Sequence, residues 1–187
     1  EDAIKEGVGF DGSAIEGFAR IQESDMRAFP DPTTFTLLPW RPQQNAVARM
    51  FCDIRRPKGE VFIGDPRNTL KRNLEKVSKL GYTYYVGTEL EFFYLKDSET
   101  PQPLDKSGYF DQLSSQPSSD LRRETVLNLS EMGVPVKYSH HEVAPSQHEI
   151  DLQYTDALAM ADGVMTAKLV IKELAQLSGA YASFMPK

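Results

Sequence analysis

The sequence predicts an α+β fold, because segments with the period of β-strands alternate with segments that carry helix start and stop signals. Two observations decide this. Short runs of alternating polar and apolar residues at 136–143 and 148–154 flank a turn signal at 144–147, which predicts a β-hairpin. Residues 66–80 instead have helical periodicity, with Asp65 as N-cap, Pro66 in the first turn and Gly81 as the stop.

Residues 1–64 are rich in strand-forming and turn-forming residues and predict a small N-terminal domain. Within it we expect a glycine-dense loop at 7–13, an ordered polar loop at 16–32, and strands at 33–38 and 46–54. Pro57-Lys58-Gly59 predicts a hairpin turn that leads into 61–63.

Residues 65–187 predict a second domain in which helices and strands follow one another. After the helix at its start we expect a strand at 82–95, a loop at 101–117 and a helix at 120–132. The hairpin at 136–154, a long helix at 155–178 and a strand-like run at 180–187 follow. Thr155 is the expected cap of the long helix, and Gly179 is its expected stop.

Composition restricts the class of protein. A net charge of -6 and a pI near 5.1 argue against a general nucleic-acid binder, because no basic stripe is left to neutralise phosphates. The single Cys52 excludes an intrachain disulfide and fits a reducing compartment. No apolar run is long enough to span a membrane, so we expect a cytoplasmic protein. Because the chain starts at Glu1 and stops at Met-Pro-Lys, we expect it to be a fragment.

Two glutamates stand inside an apolar strand. In GTELEFFYL, Glu89 and Glu91 are two residues apart and share a face, and each like charge is costly to bury without a partner. They are either metal ligands or part of an exposed face with lysine or arginine partners.

The predicted hairpin gathers all three histidines and further acids. Alternation places His140 with Glu142 on one face of the first arm, and Glu149 with Asp151 on one face of the second, while Ile150, Leu152 and Tyr154 face the core. Clustered carboxylates suit Mg²⁺ or Mn²⁺ better than zinc. A solvated acidic face with a satisfied histidine explains the same pattern equally well.

Motifs along nearly the whole chain resemble glutamine synthetase of the bacterial and archaeal type I class. They are Phe10-Asp-Gly-Ser13, Glu23-Ser-Asp-Met26, Pro39-Trp40, Cys52-Asp53, Gly64-Asp-Pro-Arg67, Gly87 to Phe93, Gly108-Tyr-Phe-Asp111, His140 to Leu152 and Phe184-Met-Pro-Lys187. Each motif is weak alone, but their joint order is specific.

The resemblance implies a truncated β-grasp N-terminal domain followed by the first part of a catalytic domain of antiparallel sheet and helices. The implied activity is ATP-dependent ligation of ammonium to glutamate through γ-glutamyl phosphate. The metal ligands of the family, which hold two or more Mg²⁺ or Mn²⁺ ions, match Glu89, Glu91, Glu142 and Glu149. Glu89 belongs to the ion nearer ATP, and the other three belong to the ion nearer glutamate.

The resemblance also implies a homo-oligomer, a double hexameric ring in the full-length protein. Asp11 would bind and deprotonate ammonium in the neighbouring subunit's site. Because of repulsion between neighbouring carboxylates, we expect at least one of Glu91, Glu142 and Glu149 to have a raised pKa.

Departures from the family pattern leave alternatives open. Lys137 stands where the family commonly has a glutamate that contacts the nucleotide, and Ser146 replaces the usual glycine of the hairpin turn. The family's remaining metal, glutamate and phosphate ligands follow the position that matches Lys187, so we expect this chain alone to be inactive. The alternatives are a non-catalytic or regulatory binding module and a related carboxylate-amine ligase.

Overall fold

The computed structural model describes residues 2–17, 24–111 and 117–186. The chain forms two compact units, one of residues 1–38 and 43–84 and one of residues 39–42 and 85–187. The sequence-based domain boundary between residues 64 and 65 stays a prediction. Within the described residues, no helix is both long and apolar enough to span a bilayer.

The first unit holds a small antiparallel sheet and a helix. Its elements are α1 (Asp2–Glu6), β1 (Val8–Asp11), β2 (Asp25–Pro30), β3 (Thr36–Leu37), β4 (Ala48–Arg49), β5 (Cys52–Arg55) and α2 (Pro66–Lys79). Strands β1, β2 and β5 form one sheet in that order, and β3 pairs with β4. The predicted helix of 66–80 is confirmed, with Asp65 accepting a hydrogen bond from the Arg67 amide.

Two loop predictions in this unit were wrong. Val8–Asp11, within the predicted glycine-dense loop, is strand β1, and Asp25–Pro30, within the predicted polar loop, is the central strand β2. The strand forms because Met26 is buried and the Arg27 side chain donates to the Glu6 and Gly7 carbonyls. The predicted turn at 57–59 is confirmed, since the Gly59 amide donates to the Arg56 carbonyl at 2.8 Å.

Ion pairs fasten α2 to the rest of the first unit. Arg67 lies 2.9 Å from both Asp31 and Asp53, and Lys71 lies 2.7 Å from Asp53. Two basic side chains of the helix are thus tied to neighbouring segments, so the helix has a fixed place in this unit.

The second unit is a four-stranded antiparallel sheet with two helices. Its elements are β6 (Tyr85–Leu95), α3 (Pro117–Glu131), β7 (Val136–His141), β8 (Gln147–Asp156), α4 (Ala157–Leu177) and β9 (Tyr181–Ser183), and the strand order is β7-β8-β6-β9. The predicted hairpin and both helices are confirmed. Phe92, Tyr94, Ile150 and Leu152 are buried in the core of this unit, together with nine residues of α4.

Three details differ from the prediction. Helix α3 begins at Pro117 rather than near 120, and the cap of α4 is Asp156, whose carboxylate accepts from the Ala159 amide, rather than Thr155. Tyr154, predicted to face the core, is 67% exposed, because the register of β6 on β8 shifts between Leu152 and Thr155 and breaks the alternation of side chains there.

Both long ladders contain an irregularity away from the hairpin turn. The register of β6 on β8 shifts between Val86 and Thr88, and that of β7 on β8 shifts between Val136 and Tyr138. Between these bulges and the turn both ladders run regularly, so the side chains there alternate strictly between the two faces of the sheet.

Candidate functional site

One face of the sheet collects most of the predicted metal ligands. In the ladder of β6 on β8, Glu89 lies opposite Asp151 and Glu91 opposite Glu149, and in the ladder of β7 on β8, His140 lies opposite Glu149. Directly opposed residues of antiparallel strands point to the same side. We call these residues together with Glu142 the carboxylate face: Glu89, Glu91, His140, Glu142, Glu149 and Asp151.

Glu149 is the centre of this face. His140 Nε2 lies 3.0 Å from Glu142 Oε1 and 3.6 Å from Glu149 Oε2. The potential ligand atoms of His140, Glu142 and Glu149 lie within 4.8 Å of one another, as do those of Glu89, Glu149 and Asp151. Glu149 therefore belongs to two overlapping groups, in keeping with a site for more than one ion.

Glu91 enters the site through a different contact. Its Oε2 atom accepts a hydrogen bond from Gln147 Nε2 at 2.6 Å, and Gln147 Oε1 accepts in turn from the Ala144 amide at 3.3 Å. Glu91 is opposite Glu149 in register but does not belong to either compact group of ligand atoms. The predicted convergence of Glu91, Glu142 and Glu149 on one point stays a prediction.

The electrostatics of the face are dominated by burial and by like charge. Burial, which is the largest cause, and the neighbouring Asp151 and Glu142 together raise the pKa of Glu149 to about 8. Burial also acts to raise the pKa of Glu142, but hydrogen bonds from the Val143 amide and from His140 hold it below its usual value. The expected raised pKa is confirmed at Glu149, although burial rather than repulsion is its largest cause.

The carboxylate face fits a divalent cation. In the described part of the chain, no lysine or arginine forms an ion pair with any of its carboxylates. Asp151 Oδ1 is buried and has no hydrogen-bond partner among the described residues. Carboxylate oxygens without a cationic partner are the ligands that Mg²⁺ and Mn²⁺ prefer. Glu149 is buried, whereas Glu89 and Glu91 are exposed at the open side of the face.

The opposite side of the same hairpin carries a second group, which sequence reasoning missed. We call it the buried cluster: Asp105, Ser118, Arg122, His141 and His148. His141 Nε2 lies 2.9 Å from Asp105 Oδ1, His148 Nε2 lies 3.4 Å from Asp105 Oδ2, and Ser118 donates to the same carboxylate. His141 Nδ1 lies 2.6 Å from the Glu142 carbonyl oxygen.

The buried cluster does not fit a cation. Asp105, His141 and His148 have ligand atoms within 4.8 Å of one another, but the Arg122 guanidinium donates to His148 Nδ1 at 2.6 Å and already supplies a positive charge. Burial works against ionisation of Asp105, yet hydrogen bonds from both histidines and Ser118 hold its pKa well below the usual range. Burial also lowers the pKa of His148 to about 4.

Two predicted site residues are not part of the carboxylate face. Lys137 is exposed in the irregular part of β7, with Nζ 5.0 Å from the centre of the Tyr138 ring. Asp11 ends β1 in the first unit, and its Oδ1 atom accepts from the amide and hydroxyl of Ser13 at 2.9 and 2.7 Å. These bonds hold the pKa of this exposed carboxyl below its usual value.

A cleft of about 330 Å³ adjoins the site at the edge of β7. Polar side chains from α3 and β7 line most of it, and Phe110, stacked on His140 at 4.9 Å between ring centres, closes one side. The motif Gly108-Tyr-Phe-Asp111 thereby contributes to the surroundings of His140, a link that its sequence position does not reveal.

Comparison with known proteins decides the family. The family model described as "Glutamine synthetase, catalytic domain" matches residues 63–187, and the model described as "Glutamine synthetase, beta-Grasp domain" matches residues 1–57. The chain belongs to the glutamine synthetase family. The resemblance found in the motifs is therefore confirmed, as is the α+β fold. Glu23 and Lys187 of those motifs lie outside the described residues.

Curated glutamine synthetases of bacteria and archaea align with the whole chain. Those of Mycolicibacterium smegmatis and Clostridium saccharobutylicum are 52% and 49% identical to it, and that of Methanosarcina mazei is 49% identical. The chain spans 43% of the length of each of these relatives.

Solved structures of glutamine synthetase relatives share the fold. The Plasmodium falciparum enzyme superposes with a TM-score of 0.87 at 27% identity, covering 100% of this chain and 42% of its own. A structure named as a GmaS/ADP complex superposes with a TM-score of 0.88 at 30% identity, covering 100% of this chain and 43% of its own.

Proposed function

We propose that the full-length protein that carries this chain is a glutamate–ammonia ligase, which joins ammonium to the γ-carboxyl of glutamate at the expense of ATP. Membership of the glutamine synthetase family supports the reaction class. The single observation that carries the proposal within this chain is the carboxylate face. There Glu149 lies within ligand distance of acids on both neighbouring segments, with no lysine or arginine partner in the part of the chain that the structure describes.

The metal ligands of this chain are Glu89, Glu91, Glu142 and Glu149, and the expected ions are Mg²⁺ or Mn²⁺. Such ions offset negative charge when a phosphoryl group passes between two anions, here ATP and a carboxylate leading to γ-glutamyl phosphate. The chain's own contribution is to hold the acids in place before substrate arrives. Gln147 orients Glu91, and His140 orients Glu142 through hydrogen bonds of 2.6 and 3.0 Å.

Nucleotide binding is proposed for the full-length protein as well. The GmaS structure named as an ADP complex has the same fold over the whole of this chain, which supports a nucleotide site in the family. Lys137 marks the candidate nucleotide contact in this chain. Its ammonium group is exposed, so it is available to an anionic phosphate.

Asp11 is proposed to bind ammonium and accept its proton in the site of an adjacent subunit of a ring, a double hexamer in the full-length protein. Its lowered pKa keeps the carboxylate charged, which suits attraction of a cation. In a closed ring each subunit gives one surface to each neighbour, so one residue of every subunit can complete another subunit's site.

The reaction is tested by phosphate release from ATP in the full-length protein, measured with and without glutamate and ammonium. We expect release only with both, and a fall of more than about 100-fold in Glu149→Gln, since even outer-shell changes at metal sites cost about 10–100-fold. The exposed Glu99→Gln is the matched control and should retain wild-type activity. Metal and ATP binding without turnover would instead support a regulatory module, and turnover with other amines would support a related ligase.

The proposed role of Asp11 is tested by mixing subunits. Full-length Asp11→Asn and Glu91→Gln should each be nearly inactive, and reassembled mixed rings should regain part of the activity, because some sites combine an intact Asp11 with an intact Glu91. Mixed rings that stay as inactive as both parents would show that Asp11 does not act across subunits.

A further inference from the structure

Phe110 has a backbone conformation that a bulky residue rarely adopts. Its φ is 56°, in the left-handed region where a residue with a Cβ atom meets steric conflict. Its side chain is 55% exposed, so burial in a core does not explain the conformation. A strained and exposed phenylalanine persists only where its surroundings hold it, and residues of this kind cluster at functional sites.

Backbone hydrogen bonds hold the turn of residues 108–111 against the outer edge of β7. The Phe110 amide donates to the His141 carbonyl at 3.2 Å, and the Asp111 amide donates to the Gly108 carbonyl at 3.1 Å. Strand β7 is at one end of the sheet order β7-β8-β6-β9, so its side away from β8 is open to this turn. Phe110 is thereby fixed beside His140, the residue that precedes His141.

The ring of Phe110 covers the imidazole of His140. The two ring centres are 4.9 Å apart and the rings are inclined by only 26°, so they are stacked. Tyr109 meets both rings edge-on, with its centre 5.5 Å from that of His140 and 4.6 Å from that of Phe110. Aromatic groups prefer stacked and edge-to-face arrangements at these separations, so the three rings restrict one another.

The same imidazole contacts the carboxylate face. His140 Nε2 lies 3.0 Å from Glu142 Oε1 and 3.6 Å from Glu149 Oε2. Because Nε2 is off the axis of the Cβ–Cγ bond, a turn of the ring about this bond would move Nε2 away from both acids. The same turn would break the stacking on Phe110. The ring orientation that suits Phe110 is therefore the one that brings Nε2 to the acids.

We propose that Phe110 is a positioning residue, whose strained turn presents its ring to His140 and thereby holds Nε2 toward Glu142 and Glu149 at the cation site. The part of this statement that concerns the cation rests on the proposed function. The part that concerns the orientation of His140 depends only on contacts between side chains.

The test compares three variants of the full-length protein. Phe110→Tyr keeps an aromatic face, whereas Phe110→Leu keeps an apolar side chain and the unfavourable φ but offers no flat ring. Phe110→Gly loses the ring and relieves the strain. Phe35→Leu is the matched control, because Phe35 is 58% exposed and lies in the first unit with an ordinary φ of -61°.

The first readout is Mn²⁺ affinity, measured from the free-ion signal in electron paramagnetic resonance. We expect Phe110→Leu and Phe110→Gly to bind Mn²⁺ about 10-fold more weakly, as for residues that orient metal ligands, and Phe110→Tyr and Phe35→Leu to stay within about twofold of wild type. Unchanged affinity in Phe110→Leu overturns the proposal. A loss in Phe110→Tyr as large as that in Phe110→Leu also overturns it, because the aromatic face is then not what matters.

A double-mutant cycle shows whether the effect passes through the imidazole. In a His140→Asn background, Phe110→Leu should change Mn²⁺ affinity by less than about twofold, because the ring that Phe110 positions is already gone. If Phe110→Leu weakens binding as much in this background as in the wild type, Phe110 acts by another route and the proposal is wrong.

The last readout does not depend on metal. In crystals of the metal-free full-length protein, the His140 ring should be turned in Phe110→Leu, with Nε2 beyond hydrogen-bond distance of Glu142, and unchanged in Phe110→Tyr. An unchanged ring in Phe110→Leu overturns the proposal even if Mn²⁺ affinity falls. A wild-type protein that binds no Mn²⁺, together with a turned ring in Phe110→Leu, would refute the metal site and leave the orienting role of Phe110 supported.

Discussion

The carboxylate face and the buried cluster lie on opposite sides of one hairpin, and they contain similar residues in different electrostatic arrangements. Each contains histidine and carboxylate groups whose ligand atoms lie within 4.8 Å of one another. On the first side five carboxylates share a face with one histidine, His140, which contacts two of them, Glu142 and Glu149. On the second side a single carboxylate, Asp105, is shared by two histidines and a serine, with Arg122 behind one of the histidines.

The difference shows that short distances between ligand atoms do not by themselves define a metal site. The buried cluster is internally compensated, because its one carboxylate accepts hydrogen bonds from His141 and Ser118, and His148 links it to the Arg122 guanidinium. The carboxylate face has an excess of negative charge and a buried Asp151 oxygen that no described residue bonds. An added cation would stabilise the carboxylate face. In the buried cluster it would have to displace Arg122.

The largest expected effect is on stability, from Asp105→Asn in the full-length protein. Asp105 is a buried carboxylate that accepts from His141 and Ser118 and whose negative charge offsets that of the Arg122 guanidinium, and losing such a buried charge costs about 3–5 kcal/mol. Denaturant unfolding is the measurement. Glu149→Gln, on the other face, should be neutral or stabilising without metal, because it removes a carboxyl that is unfavourable to ionise. Equal losses in both variants would contradict the distinction between the two sides.

The next effect is a pair of opposite pH dependences. Glu149 has a pKa raised from 4.5 to about 8, so the folded state keeps a proton that the unfolded state releases, and stability falls as pH rises through this window. His148 has a pKa lowered from 6.5 to about 4, so stability falls as pH drops through that range. Between pH 6.5 and 8 only the first slope remains, and Glu149→Gln should abolish it.

Metal provides the check on this assignment. Because Mg²⁺ binds the ionised carboxylate, saturating Mg²⁺ should also flatten the slope above pH 6.5 and should release close to one proton per site when added at about pH 7. Calorimetry in buffers of different ionisation enthalpy measures this release. A slope that persists in Glu149→Gln would assign it to another group.

The smallest expected effect separates adjacent histidines. His140→Asn removes a half-buried contact to Glu142 and should lower Mn²⁺ affinity by about 10-fold while changing stability by less than about 1 kcal/mol. His141→Asn removes a fully buried partner of Asp105 and should do the reverse, with a clear stability loss and a smaller change in affinity. If His140→Asn lowered stability and His141→Asn lowered Mn²⁺ affinity, the assignment of the two histidines to the two faces would be wrong.

Local periodicity was enough to find the two groups of acids that make up the carboxylate face, but not to bring them together. Alternation along the chain assigned His140, Glu142, Glu149 and Asp151 to shared faces, and the pair Glu89 and Glu91 was evident from its apolar surroundings. The register that brings β6 against β8 depends on contacts between segments far apart in the chain, and no local pattern specifies it. The family resemblance, rather than periodicity, joined the two groups.

The buried cluster could not be found in the same way. Asp105 lies in a loop without periodicity, 36 residues before its partner His141, and its burial depends on tertiary packing. The replacement of glycine by Ser146 was visible in the sequence, but its left-handed φ and the three backbone partners of its hydroxyl were not. The misplaced cap of α4 was a smaller failure, since Thr155 and Asp156 are both good capping residues.

The bulges of β8 and β7 have a consequence for how the length of this protein can vary. A bulge already holds one residue more than its partner strand, so gain or loss of a residue near Gln153 or Lys137 changes local geometry and leaves the rest of the ladder in phase. The same event between Glu89 and Glu91 would invert the faces of everything that follows in the strand. We therefore expect insertions and deletions among homologues to concentrate at the two bulges and to be excluded from the segment that carries the acids.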